Sequence, residues 1–66
     1  MRLIVNGERR KFQDGSTILE ILKQLGVEEK VMAAAVNTKI VKKDEWGKFV
    51  PKDGDKLEFL TFVGGG

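Results

Sequence analysis

The sequence predicts an α+β fold in which one helix lies across one face of a mixed β-sheet. Three patterns carry this: an alternating apolar segment at residues 1–5 that runs into Asn6-Gly7, a single helical stripe at Ile18, Ile21, Leu22 and Leu25, and a last extended segment from Lys56 to Phe62. With one helix among several strands, the stable arrangement is a helix layer on a sheet layer. If the first and last strands pair in parallel, the helix lies in the crossover between them, which is expected to be right-handed.

The elements follow in chain order. Met1, Leu3 and Val5 fall on one side of an extended chain and Arg2 and Ile4 on the other, which makes a strand with one core face. Asn6-Gly7 readily supplies the two positive φ angles of a two-residue hairpin turn, so a polar strand running to about Gln13 should return beside the first. Asp14-Gly15 breaks that strand. Thr17 and Glu20 then stand at capping-box spacing, and Gly26 sits where a left-handed residue ends a helix. A helix of little over two turns is unstable alone, so Thr17 to Leu25 must pack on the sheet.

Val31 to Val36 is apolar with small residues, and Lys39-Ile40-Val41 follows after Asn37-Thr38, which reads as a second hairpin. Threonine resists positive φ, so this connection is either a two-residue turn or a longer loop. Lys42 to Val50 reads as irregular, with Trp46 and Phe49 folded back onto the core as anchors. Lys52-Asp53-Gly54-Asp55 is a turn signal before the final strand. The expected buried set is Leu3, Val5, Ile18, Ile21, Leu22, Leu25, Leu57 and Phe59.

Composition narrows the chemistry. The 66 residues include no cysteine and no histidine, which excludes a disulfide framework, a zinc knuckle, a thiol nucleophile and an imidazole base. No metal site and no bound cofactor are expected. Twelve basic residues against ten acidic ones leave +2, a weak footprint for nucleic acid. The basic runs Arg9-Arg10-Lys11 and Lys42-Lys43 read as solvated strand faces or as protection of a sheet edge. A nucleic-acid-binding β domain would need stacking aromatics on an exposed face, so nucleic acid is not an expected partner. No apolar run approaches the ~18 residues of a membrane span, and the opening residues turn polar too early for a signal peptide, so a cytoplasmic protein away from the membrane is expected. The length fits one domain over residues 1–66 with a flexible glycine tail at 63–66.

One helix can cover only one face of a sheet. Ile4 points away from Leu3 and Val5, and Leu60 and Phe62 point away from Leu57 and Phe59, so Ile4, Leu60 and Phe62, with Val63 beside them, form a candidate apolar partner-binding patch. Beyond it the chain ends Gly64-Gly65-Gly66. Three glycines offer no side chain to pack and carry the largest conformational entropy. Such a tail is either a frayed end or a Cβ-free thread that reaches ~13 Å over four extended residues into a narrow channel.

Taken together, Ile4-Val5-Asn6-Gly7-Glu8, the Asp14-Gly15-Ser16-Thr17 helix start, Ala35-Val36-Asn37 with Ile40-Val41, Asp53-Gly54-Asp55 and the ending Thr61 to Gly66 resemble the sulfur carrier proteins of thiamine thiazole biosynthesis, the ThiS family of the ubiquitin-like β-grasp superfamily. The resemblance covers essentially the whole chain and implies a protein carrier rather than an enzyme. It implies that an adenylating enzyme of the ubiquitin-activating type, bringing ATP and Mg²⁺, activates the Gly66 carboxylate. A persulfide donor then converts it to a thiocarboxylate, and an acceptor such as thiazole synthase takes the sulfur. Gly66 is thus the reactive position and Gly64 and Gly65 give access to it. Related chains with this fold serve as the small subunit of molybdopterin synthase, in transfer RNA thiolation, or as protein modifiers. Many members of the family are acidic, so no acidic docking contact is carried over to a chain at +2.

Overall fold

The computed structural model describes residues 1–61. The elements are β1 (Arg2–Val5), β2 (Glu8–Lys11), α1 (Ile18–Leu25), β3 (Val31–Val36), β4 (Lys39–Val41) and β5 (Lys56–Thr61), with one 3₁₀ turn at Lys43–Glu45. The strands form one five-stranded sheet in the order β2-β1-β5-β3-β4. β1 and β5 pair in parallel and every other pair is antiparallel, so the sheet is mixed as expected.

Both hairpins close through two-residue turns of the same hand. Asn6 and Gly7 have φ of 49° and 84°, and Asn37 and Thr38 have φ of 50° and 74°. The second connection is therefore the short turn and not the longer loop, even though it holds a β-branched residue in the left-handed region.

The two turn asparagines also brace β5 from both ends of the sheet. Asn6 Oδ1 accepts from the Phe59 N–H at 2.8 Å while its Nδ2 donates to the Phe59 carbonyl at 3.3 Å, so its amide stands in for one more residue of β1. Asn37 Oδ1 accepts from the Lys56 N–H at 3.0 Å, and its Nδ2 donates to Asp55 Oδ1 at 2.9 Å.

Helix α1 begins with the capping box, Thr17 Oγ1 accepting from the Glu20 N–H at 3.1 Å and the Glu20 carboxylate accepting from the Thr17 N–H at 2.9 Å. Its other two free amides are met from an unexpected quarter: the Ile18 N–H donates to the Phe49 carbonyl at 2.9 Å and the Leu19 N–H to the Trp46 carbonyl at 3.0 Å. The irregular segment after β4 thus closes the start of the helix. Gly26, at φ 73°, ends it with its N–H on the Leu22 and Lys23 carbonyls.

The core lies between α1 and one sheet face. Leu3, Val5, Ile18, Ile21, Leu22, Leu57 and Phe59 are buried as the sequence implies, whereas Leu25 is half-buried at the margin. Phe12, Val31, Ala34, Val36 and Val41 complete the core, together with Trp46. Trp46 keeps only 1% of its surface exposed, and its indole N–H donates to the Val41 carbonyl at 2.9 Å. A buried indole needs such a partner, because an unpaired N–H in the core costs about 1–3 kcal/mol.

Candidate functional site: the open sheet face and the end of β5

Helix α1 covers one face of the sheet, and strand register decides what the other presents. Leu57 and Phe59 of β5 are buried under the helix, so Lys56, Glu58 and Leu60 face outward. In β1 the outward residues are Arg2 and Ile4, and their Cα partners on β2, Lys11 and Arg9, share that side. On β4, Ile40 stands opposite Ala35 of β3 and is 71% exposed. The β3–β5 register slips between Val31 and Ala33; Val31 and Ala34 stay buried, and Met32 and Ala33 between them turn away from the core.

Of the residues expected to form a partner-binding patch, Ile4 and Leu60 therefore share a face but not a row. Ile4 is half-buried and pairs with Arg9 on one side and Lys56 on the other. Leu60, 65% exposed, lies four residues farther along β5, about 13 Å away along the strand. Its cross-strand neighbour is Ala33, and the next row holds Glu58, Ala35 and Ile40. Met32 at the bulge, 60% exposed, extends the same strip. Met32 was not legible as a surface residue, because a strand reading Val-Met-Ala-Ala-Ala-Val is apolar throughout and the bulge sets which residues turn outward; Ile40 was not, because the three-residue Lys39-Ile40-Val41 is too short to show an alternation.

Phe62 and Val63 of the expected patch, and Gly64, Gly65 and Gly66 of the expected reactive tail, lie outside the described residues. The described chain hands over to them at the end of β5, a central strand held by β1 on one side and β3 on the other. Among the described aromatics, Phe12, Trp46 and Phe59 are buried and Phe49 is half-buried in the connection after β4, so none offers a stacking platform on the open face. Among the described residues no helix is long and apolar enough to cross a membrane.

A sheet of order 2-1-5-3-4 with a parallel central pair, entered by a hairpin and crossed by one helix, is the ubiquitin-like β-grasp architecture. Within that class the chain belongs to the ThiS family, a family of sulfur carrier proteins, whose model matches residues 3–66. The crystal structure of the thiamine biosynthesis protein ThiS from Geobacter metallireducens is similar, with a TM-score of 0.77 and 35% identity over all of both chains. Sulfur carrier protein ThiS of Escherichia coli (strain K12) is 29% identical, again over the whole of both chains. The thiazole synthase of Paramagnetospirillum magneticum (strain ATCC 700264 / AMB-1) is 41% identical over all 66 residues, which span 20% of that protein's length.

Proposed function

We propose that this chain is a sulfur carrier for thiamine thiazole biosynthesis, with the C-terminal carboxylate of Gly66 as the group that is adenylated and then converted to a thiocarboxylate. The observation that carries the reading is the family match, which runs through the glycine ending to residue 66. The chemistry supplies the reason for an activating step. A carboxylate is a poor acyl electrophile; its attack on the α-phosphate of ATP, with loss of pyrophosphate, turns it into an acyl adenylate with AMP as leaving group. The terminal sulfur of a persulfide then displaces AMP, and a thiol resolves the acyl disulfide to leave the thiocarboxylate.

The chain holds no cysteine and no phosphate-binding Gly-Lys-Ser/Thr loop, so nucleophile, ATP and Mg²⁺ come from an adenylating enzyme of the ubiquitin-activating type and a persulfide donor. In this reading the protein is a substrate and not itself an enzyme, acts in the cytoplasm, and binds no cofactor of its own. Residues 1–66 act as one domain, and Gly64 and Gly65 let the tail pass where a Cβ would clash. Ile4, Leu60, Phe62 and Val63 serve as the docking surface, with the strip Met32, Ala33, Ala35 and Ile40 widening it. Similarity to thiazole synthases supports a thiazole synthase as the sulfur acceptor, over molybdopterin synthesis, transfer RNA thiolation or protein modification.

The test is mass spectrometry of the intact protein after incubation with the activating enzyme of its own genome, ATP, Mg²⁺ and a persulfide donor. The protein should gain the mass difference of one oxygen exchanged for one sulfur, located in the terminal peptide. Deletion of Gly66 should abolish the gain and leave the thermal midpoint unchanged. Sulfur delivery by the truncated protein would overturn the reading.

A further inference from the structure

The open face carries a second surface beside the apolar strip, centred on Ile4, which the docking patch proposed above also uses. One row runs Arg9–Ile4–Lys56 across β2, β1 and β5, and the next holds Lys11 and Arg2. At strand spacing these four cations lie within roughly 10–12 Å of one another around the half-buried Ile4. The same residues, except Lys56, line a shallow concavity that Asp53 and Gly54 close at one end. None of the four side chains is in an ion pair among the described residues, whereas Arg10, on the opposite side of β2, bonds Glu8 at 3.1 Å. Two carboxylates lie near. An oxygen of Asp53 is occupied by the Arg2 N–H at 2.6 Å, and Glu58 stands on the same face two residues along β5 from Lys56, paired with Ala35 of the strip.

Edge protection explains cations on β2, which is an outer strand. It does not explain Arg2 and Lys56, which sit on the two central strands where neighbours already pair on both sides. Four cations held at close quarters repel one another, and a face that keeps them together is complementary to negative charge.

We propose that the β2–β1–β5 half of the open face docks an acidic segment of a partner protein, its carboxylates meeting Arg2, Arg9, Lys11 and Lys56 and an apolar side chain seating on Ile4. A polypeptide fits better than a nucleic acid, because the centre of the surface is aliphatic and no described aromatic stands on this face to stack a base. Guanidinium groups at Arg2 and Arg9 can take carboxylates in two-point contacts, which gives the site geometry as well as charge.

The test is an amide-resolved NMR titration of the full chain with a short blocked peptide carrying a leucine between paired aspartates and glutamates. Its controls are the same peptide with amide side chains and a thymidine oligonucleotide. The acidic peptide should shift the amides of Arg2, Ile4, Arg9, Lys11 and Lys56, and its affinity should fall about tenfold between low and physiological salt. The double reversal Arg9→Glu/Lys11→Glu should weaken it at least about tenfold while the remaining spectrum stays native, and Leu60→Ser should leave it unchanged. The proposal falls if the amide-bearing peptide binds equally, if the shifts map elsewhere or do not saturate, or if the oligonucleotide takes the same amides more tightly. None of these readouts depends on Gly66, so they separate this surface from the sulfur chemistry.

Discussion

Thr38 occupies the least comfortable backbone among the described residues: of the non-glycine residues with positive φ it is the β-branched one, at 74°. A left-handed conformation costs an L-residue about 1–2 kcal/mol, and glycine gives back about 0.5–1 kcal/mol through the entropy it loses on folding. Thr38→Gly should therefore raise stability by about 0.5–1 kcal/mol, seen as a higher urea midpoint at unchanged slope. Asn6 and Asn37 differ from Thr38 in having a second task, since the Asn6 amide bonds the Phe59 backbone within β5 and the Asn37 amide bonds Lys56 and Asp55 where β5 opens. Asn6→Asp keeps the turn and the acceptor to the Phe59 N–H but loses the donor to its carbonyl. At the core, Leu22 is fully buried beneath the sheet. Leu22→Ala should cost ~2–5 kcal/mol, most of the ~3–5 kcal/mol that a core of this size supplies. An unchanged denaturation midpoint would show that this helix face does not carry the core.

At the scale of the element, α1 is stable because its first turn is closed by three parts of the chain. Thr17 caps the Glu20 amide, and the carbonyls of Phe49 and Trp46 take those of Ile18 and Leu19. Thr17→Ala should cost about 1 kcal/mol. The returning hydrogen bond from the Thr17 N–H to Glu20, with lesser help from the threonine hydroxyl, holds the Glu20 carboxyl below the usual glutamate range. The folded state thus binds this proton less readily than the unfolded state. Its contribution is fully present above the ordinary glutamate pKa and is lost as pH falls through the depressed one. In that acidic window the thermal midpoint of the native chain should fall more steeply than that of Glu20→Gln, whose amide still accepts the bond but does not titrate. Parallel pH profiles for the two proteins would show that Glu20 contributes nothing through its charge.

Across the whole molecule, the parallel β1–β5 pair sets which functions can meet. It brings the first strand against the last at the centre of the sheet, so β5 runs out past the Asn6-Gly7 turn. The open face divides into an apolar strip from Leu60 to Ile40 and a basic half around Ile4. Leu60 buries little on folding, so Leu60→Ser should change stability by less than about 0.5 kcal/mol. If the strip docks the activating enzyme, the same change should raise the KM for the carrier several-fold with kcat unaltered. Normal kinetics with a lowered thermal midpoint would place Leu60 in the fold instead of the interface.

Local patterns alone determined the helix, its capping box and its glycine stop, the first hairpin, the turn before β5 and seven of the eight residues expected in the core, Leu25 being the marginal one. These depend on interactions within a few residues, and periodicity or a single turn dipeptide is enough to specify them. The glycine ending was equally plain, because a side-chain-free terminus needs no fold to be recognised. Only the tertiary structure decided the rest. Whether Thr38 would be forced into the left-handed region depends on β4 pairing with β3 in the register that sets Val36 opposite Lys39. The bulge that turns Met32 outward belongs to the pairing of β3 with β5, at residues that β4 does not reach. The carbonyls of Trp46 and Phe49 reach α1 across a long chain separation, which no local signal encodes. The placement of Ile4 among cations, one patch away from Leu60, follows from cross-strand register, and register is a property of the assembled sheet and not of any one strand.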